Sequence, residues 1–324
     1  MEPLIPPPGV FVPVPTFFKA DLTDNVLQPA IDVVTQVNHS IHLAKSGITG
    51  LVLMGSTGEA VHMSAAERFT MISAVRKGLE RAGYGHYPIM AGVLTNSADE
   101  ALEWLRDAHK AGAQWGLVLA PGYFGAAANQ KNLIDWFTLV ADKSPLPILV
   151  YNYPGVTNNL VVSVETYEIL AMHPNIVGCK MSHGNVSHHV QLSLHPSIDH
   201  TKFRVYSGFG QQLGPIVLFN AAGVIDGLAA IFPKTVSRLY SLAASQPLDE
   251  ATLQEVQRLQ WKVSTAEEFI VKNGIIGIRD AIYKVLGFGH LRGGRLPLQG
   301  SLPPGEFEKW SSIFEEMTRE EKAL

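Results

Sequence analysis

Eight short apolar runs, each followed by a longer helical pattern, constrain this chain more than any other feature. The runs are rich in Val, Ile and Leu, and they read as strands buried on both faces, which pair in parallel. Eight such strand and helix units over about 225 residues predict a closed (β/α)8 TIM barrel. The predicted strands are 10–15, 50–54, 88–93, 116–120, 147–151, 176–180, 203–207 and 223–227.

An open, doubly wound sheet is the structural alternative. Its first turn would normally carry GxGxxG, and no such motif follows the first strand. After Lys234 the strand pattern ends and only helical patterns continue. We therefore predict a catalytic barrel over residues 1–234 and a C-terminal helical subdomain over 235–324. The helices expected outside the repeating units are 235–244, 249–272, 275–286 and 304–319, and the first barrel helix is expected over 25–46.

Composition limits the partners and the compartment. Hydrophobic residues make up 46% of the 324 residues, and the net charge of −4 comes without a strong basic run, which argues against nucleic-acid binding. No apolar run approaches the length of a membrane span, and the N-terminus lacks a secretory pattern. The single cysteine, Cys179, excludes an intrachain disulfide. A cytoplasmic protein acting on a small molecule is the expectation.

Lys180 closes the apolar strand 176–180 and is followed at once by a polar turn. An ammonium group surrounded by apolar walls loses stability, so its pKa falls and a neutral, nucleophilic amine becomes available. Such an amine can attack a ketone carbonyl to form a Schiff base. A lysine that simply emerges into solvent at the end of its strand is the alternative.

Other strand ends carry polar groups that would meet Lys180 at the same barrel face. The segment Gly55-Ser56-Thr57-Gly58-Glu59 follows the second strand, and its glycines and hydroxyls suit a small carboxylate. Tyr123 follows the fourth strand, and Tyr151 ends the fifth, where its hydroxyl could move protons. Gly208 follows the seventh strand and allows close approach of a ligand.

These segments occur in an order that resembles the dihydrodipicolinate synthase/N-acetylneuraminate lyase family. They are Gly-Ser-Thr-Gly-Glu, Pro-Gly-Tyr, Tyr-Asn-x-Pro, Gly-x-Lys and Ser-Gly, and the resemblance extends from about Gly9 to Pro297. It implies a class I enzyme without a cofactor or metal, in which Lys180 forms a Schiff base with pyruvate or with the 2-oxo group of a substrate.

The resemblance also implies roles for the neighbouring residues. Tyr151 would be the acid/base, and Ser56 would link it to Tyr123, which in the family reaches in from a neighbouring subunit. Thr57, with backbone amides near Gly55, would hold the pyruvate carboxylate. Gly208 would line the carboxylate pocket. A homo-oligomer, either a dimer or a dimer of dimers, follows from the same resemblance.

One departure from the family pattern limits the range of possible substrates. Synthases that use aspartate semialdehyde place an arginine where this chain has Val156, and valine cannot grip a second carboxylate. The motifs resemble instead the fungal 2-keto-3-deoxy-L-galactonate aldolases and the 4-hydroxy-2-oxoglutarate aldolases. Both cleave a 2-oxo-4-hydroxy acid to pyruvate and an aldehyde. Ser182 and His183 lie just past Lys180 and could touch substrate hydroxyls, although His183 could equally be a polar loop residue.

Two other classes of function remain open at this stage. Twelve histidines, including His183, His188 and His189 after the sixth strand, invite a catalytic metal, but they carry no accompanying carboxylate pattern. A barrel that binds 2-oxo acids without turnover is the other possibility. Replacing Lys180 with Ala separates it from an enzyme, because a pure binder would keep much of its affinity.

Overall fold

The computed structural model describes residues 3–20 and 27–324. Eight parallel strands close into a barrel in sequence order, with the first strand paired to the eighth. This confirms the predicted (β/α)8 barrel. The strands are β1 Gly9–Pro13, β2 Gly50–Leu53, β3 Ile89–Val93, β4 Trp115–Leu119, β5 Ile148–Asn152, β6 Ile176–Met181, β7 Arg204–Ser207 and β8 Gly223–Ile225.

Helices alternate with these strands and continue beyond them. The helices are α1 Val33–Lys45, α2 Ala65–Arg81, α3 Ala98–Ala111, α4 Gln130–Lys143, α5 Val164–Leu170, α6 Val186–Ser193, α7 Leu213–Leu218, α8 Pro233–Ala243, α9 Glu250–Leu286 and α10 Ser311–Ala323. None of the helices in the described ranges is long and apolar enough to cross a membrane. The division predicted at residue 234 falls in the first turn of α8 and stays a prediction.

Two helix starts were predicted too early. The first helix was expected from residue 25, but residues 25 and 26 lie outside the described ranges, and α1 begins only at Val33. Pro29 disfavours a helical residue before it, and the side chain of Asp32 caps α1 by accepting the N–H of Thr35 at 3.1 Å. The last helix was expected from residue 304, but Gly305 has a φ of +81°, which interrupts a helix there.

Helix α9 is broken where two helices were expected. Gly274 has φ 55° and ψ −146° inside the span, so the chain turns between the predicted helices 249–272 and 275–286. A conformation with positive φ is available to glycine at little cost. The break lies beside the barrel mouth, where it brings both halves of α9 against the functional site.

The buried apolar residues form two separate cores. One lies inside the barrel and includes Phe11, Trp115 and Tyr206, while the larger one lies between the strands and the surrounding helices. Cys179 is fully buried and belongs to the outer core, whereas the next residue, Lys180, faces the barrel mouth. Burial also raises the pKa of the Cys179 thiol, so a packing role fits this residue.

Candidate active site

A cavity of about 580 Å³ opens at the carboxyl ends of the strands. That is the end of a (β/α)8 barrel where reactions take place. Its polar lining residues are Ser56, Thr57, Glu59, His62, Asn96, Tyr151, Tyr153, Lys180, Ser182, Gln211 and Glu267. Apolar residues of α9 close one side. Six of the eight predicted site residues line this space, and the other two, Gly55 and Tyr123, do not.

Lys180 lies near the end of β6 with 5% of its surface exposed. Its Nζ is 4.6 Å from the ring centroid of Tyr151, its partner in the β5–β6 register. Burial lowers the pKa of Lys180 to about 7, against an opposing effect of the Asp226 carboxylate. A large fraction of the amine is therefore neutral near pH 7, and the neutral amine is the nucleophilic form.

Tyr151 provides a buried phenol beside the amine. Burial raises the pKa of Tyr151, and the hydroxyls of Ser56 and Ser182 partly oppose this shift. Its Oη lies 3.5 Å from Oγ of Ser56, a contact at the long limit of a hydrogen bond. The phenol is consequently held in its protonated form, with a serine positioned to exchange a proton with it.

The loop after β2 has a constrained backbone. Met54 and Glu59 both adopt positive φ, 58° and 54°, which is uncommon for residues other than glycine. Glu59 is 1% exposed and forms an ion pair with Arg279 of α9, while its Oε2 lies 3.1 Å from Nδ1 of His62. Burial raises the pKa of Glu59, although Arg279 opposes that effect. The ion pair fixes the loop that presents Ser56 and Thr57.

Gly208 is required by the space around the lysine. A Cβ atom at this position would lie 2.0 Å from Oγ of Ser182 and 3.0 Å from Cε of Lys180. Ser182 itself is 5% exposed, and its backbone N–H donates to the carbonyl of Asn152 at 2.9 Å. Ser182 and Gly208 therefore border the space next to Nζ, whereas Gly55 is buried behind Ser56 and does not line the cavity.

Tyr123 is not brought to the cavity of its own chain. Its side chain is 71% exposed and packs edge-on against Phe124, with ring centroids 5.2 Å apart. Its backbone N–H donates to Oδ1 of Asn96 at 2.9 Å. The expected link from Ser56 to Tyr123 is thus not formed within this chain, and an exposed aromatic pair extends from the loop after β4.

The histidines after β6 form a stacked group outside the cavity lining. The His183 and His188 rings are parallel, with centroids 5.0 Å apart, and burial lowers the pKa of His183 to about 4. His183 is therefore neutral above that pH and does not line the cavity. In the described ranges, no three His, Cys, Asp or Glu side chains are grouped as a metal site would require.

Several lining residues were not predicted from the sequence. Ile270, Val271, Ile275 and Ile278 of α9 form an apolar wall, and Glu267 lies one turn before them. Helical periodicity shows which residues share a face but not which cavity that face borders. Asp226 does not line the cavity, but it lies buried inside the predicted strand 223–227, and a carboxylate within an apolar run is a detectable signal.

The dihydrodipicolinate synthetase family model matches residues 28–299 of this chain. A protein of Emericella nidulans named "Probable 4-hydroxy-2-oxoglutarate aldolase, mitochondrial" is 34% identical over 89% of this chain and 88% of its own length. An L-threo-3-deoxy-hexylosonate aldolase of Aspergillus niger is 33% identical over 87% of both chains. The crystal structure of the Acinetobacter baumannii dihydrodipicolinate synthase with pyruvate superposes with a TM-score of 0.83 at 26% identity, covering 96% of this chain and 98% of that one.

Proposed function

The chain belongs to the dihydrodipicolinate synthetase family, and from this premise we propose that it is a class I aldolase acting on a 2-oxo-3-deoxy-4-hydroxy acid. The products are pyruvate and an aldehyde. The observation that carries the proposal is the buried Lys180 amine, with its pKa lowered to about 7, facing a buried phenol across neighbouring strands. A desolvated amine of this kind is the nucleophile that Schiff-base chemistry requires.

The first half of the reaction builds an electron sink. The neutral amine of Lys180 adds to the C2 carbonyl, and one of its two protons passes to the C2 oxygen to give a carbinolamine. Tyr151 gives its proton to the same oxygen, which then leaves as water. The product is a protonated iminium at Lys180 and a phenolate at Tyr151. The positive iminium stabilises the phenolate, and Ser56 at 3.5 Å can donate a hydrogen bond to it.

The second half breaks the carbon–carbon bond. The phenolate of Tyr151 takes the proton of the 4-hydroxyl, the C3–C4 electron pair moves into the iminium, and the aldehyde departs. Burial favours the protonated phenol, which helps this return of the proton. The resulting enamine takes a proton at C3 from Tyr151. Water then adds to the iminium, one proton returns to the phenolate, and pyruvate and the neutral amine are released.

The carboxylate end of the substrate is assigned to the hydroxyl side of the cavity. Thr57 lines it on the loop after β2, and Gly208 leaves space next to the lysine on the opposite side. Backbone amides and hydroxyls can hold a carboxylate without a cation. The pyruvate bound in the Acinetobacter baumannii synthase supports a pyruvate site in this family.

The far end of the substrate is proposed to be uncharged, as in a 2-keto-3-deoxy sugar acid such as 2-keto-3-deoxy-L-galactonate. Val156 lines the cavity where an arginine would bind a second carboxylate. Lys180 and His62 are the basic side chains of the described lining, and His62 is bonded to Glu59. The name of the Aspergillus niger relative supports a six-carbon substrate of this class.

A second candidate substrate is 4-hydroxy-2-oxoglutarate, favoured by the name of the Emericella nidulans relative. It carries a second carboxylate that the apolar wall of α9 does not neutralise.

The oligomeric state and the cellular location also belong to the proposal. Exposed Tyr123 supports a homo-oligomer in which this residue meets the site of a neighbouring subunit. A cytoplasmic location stays a prediction, because one relative is named mitochondrial.

A cleavage assay with coupled detection of pyruvate tests this proposal. The panel contains 2-keto-3-deoxy-L-galactonate, its C4 epimer and 4-hydroxy-2-oxoglutarate. We expect the sugar acids to have the higher kcat/KM, and Val156→Arg to move the preference toward 4-hydroxy-2-oxoglutarate. Lys180→Ala should lose turnover. Retained turnover in that variant, or no cleavage of any member of the panel by the native protein, would contradict the proposal.

A further inference from the structure

Two buried acidic side chains lie together near Lys180, and neither takes part in the proposed proton transfers. Asp226 follows β8 and is 0% exposed, and Glu267 lies on α9 and is 3% exposed. A Cβ atom at Gly210 would lie 3.0 Å from Oδ1 of Asp226 and 2.6 Å from Oε1 of Glu267. One small space between a loop and a helix therefore holds an oxygen from each carboxyl group.

One oxygen of the pair has a backbone donor, since Oδ2 of Asp226 accepts the N–H of Ala229 at 3.1 Å. Oδ1 of Asp226 and Oε1 of Glu267 find no hydrogen-bond donor in the described part of the chain. Two buried carboxylates in contact cannot both ionise, so a single proton shared between these two oxygens satisfies both.

The pair lies close enough to act on Lys180. Gly208 contacts the side chain of Lys180 and Gly210 contacts the pair, so both groups border one short loop after β7. The Asp226 charge acts on the Lys180 amine. Burial, and then the charge of Asp226, raise the pKa of Glu267 well above its usual range. The proton of the pair therefore belongs mainly to Glu267.

We propose that Asp226 and Glu267 share one proton and form a positioning pair, whose single negative charge stabilises the cationic forms of the Lys180 nitrogen. These forms are the ammonium of the free enzyme and the iminium of the reaction. The inference rests on the proposed function, since it assigns the pair a role in Schiff-base formation. The charge of the pair offsets part of the cost of burying the Lys180 nitrogen in its cationic forms.

The other titratable groups near the pair do not supply a charge that could replace it. Lys180 from β6 and Glu268 from the next position of α9 act on the two carboxyls. Tyr151 from β5 faces Lys180, and His39 from α1 bonds the carbonyl of Ala230, beyond the turn that holds the pair. Burial lowers the pKa of His39 to about 4, so this histidine adds no positive charge near neutral pH.

Isosteric variants separate charge from shape. Glu267→Gln keeps the carboxylate of Asp226, and its amide can donate the hydrogen bond that the protonated acid donates. The double variant Asp226→Asn with Glu267→Gln removes the charge while keeping both shapes. The readout is the amount of pyruvate adduct trapped by cyanoborohydride between pH 5 and 9, with circular dichroism to verify the fold.

The amount of trapped adduct falls at acid pH as the Lys180 amine becomes protonated, and we call this fall the acid limb. In the double variant we expect the acid limb to move to lower pH by about one unit. The pyruvate concentration for half-maximal trapping at pH 8 should rise about tenfold, since the iminium loses a unit of stabilising charge. Glu267→Gln alone should leave the limb in place. An unmoved limb in the double variant, or an equal shift in Glu267→Gln, would overturn the role of the pair. A native protein that traps no pyruvate at any pH would instead contradict the proposed function.

Discussion

Replacing Lys180 with methionine should stabilise the protein, and by an amount that depends on pH. The pKa of this lysine falls from 10.5 to about 7 on folding because the group is buried. Between those values the unfolded chain binds more protons than the folded one, so the stability of the native protein rises with pH. The penalty for burying the amine is complete below pH 7 and disappears above pH 10.5.

The size of the effect follows from the same two pKa values. Linkage gives a penalty of about 5 kcal/mol at pH 6 and about 2 kcal/mol at pH 9. Methionine has no charge, so Lys180→Met escapes the penalty, and its advantage over the native protein should shrink by about 3 kcal/mol between these pH values. The packing contribution of the methionine side chain is independent of pH and cancels in this difference.

Equilibrium urea unfolding of both proteins at pH 6 and pH 9, at one protomer concentration, measures this difference. A fixed concentration is needed because association of subunits would shift the apparent stability. Lys131→Met is a matched control, since Lys131 lies on the exposed side of α4 with 81% of its side chain accessible. An advantage of Lys180→Met that is the same at both pH values would refute the argument that burial displaces the lysine proton.

Three other substitutions test separate parts of the site. Gly208→Ala should lower kcat by about 100-fold with the fold retained, because the added methyl overlaps Oγ of Ser182 and presses on the side chain of Lys180; an unchanged kcat would show that these contacts are harmless. Tyr151→Phe should reduce kcat by 100-fold or more, on the order of the contribution of a positioned acid/base, while trapping of pyruvate remains detectable. Arg279→Met should destabilise the protein by about 3 kcal/mol, because it leaves Glu59 buried without its partner; thermal unfolding within 1 °C of the native value would contradict this.

The sequence pattern was sufficient for the barrel because each strand is buried on both faces. Uninterrupted apolar runs such as 147–151 and 176–180 leave few alternatives to a parallel sheet covered by helices. Strand ends of a parallel barrel all face one way, so polar residues at those ends converge. For this reason Lys180, Tyr151, Ser56 and Thr57 could be placed at one site before the structure was known.

Residues contributed by α9 could not be placed in the same way. The site meets this helix on both sides of its break at Gly274, and local propensity does not specify the direction of the chain after that break. The partnership of Glu59 with Arg279 joins positions 220 residues apart in the chain. The Asp226–Glu267 pair likewise depends on how the C-terminal helices pack against the barrel. Charge pairing at such separation has no local signal in a single sequence.

Tyr123 is a predicted site residue that lies outside the cavity of its own chain. Its motif placed it at the site, whereas its own chain leaves it 71% exposed. Turnover regained on mixing Tyr123→Phe subunits with Lys180→Ala subunits, above the average of the two separate variants, would show that the two residues meet between chains; no gain on mixing would contradict it.

Reductive trapping tests the central claim most directly. The protein is incubated with pyruvate, reduced with borohydride, digested, and analysed by peptide mass spectrometry. The account predicts one adduct, on the peptide that contains Lys180, and none in Lys180→Ala. A folded native protein that gives no adduct, or an adduct confined to another lysine, would contradict the Schiff-base mechanism.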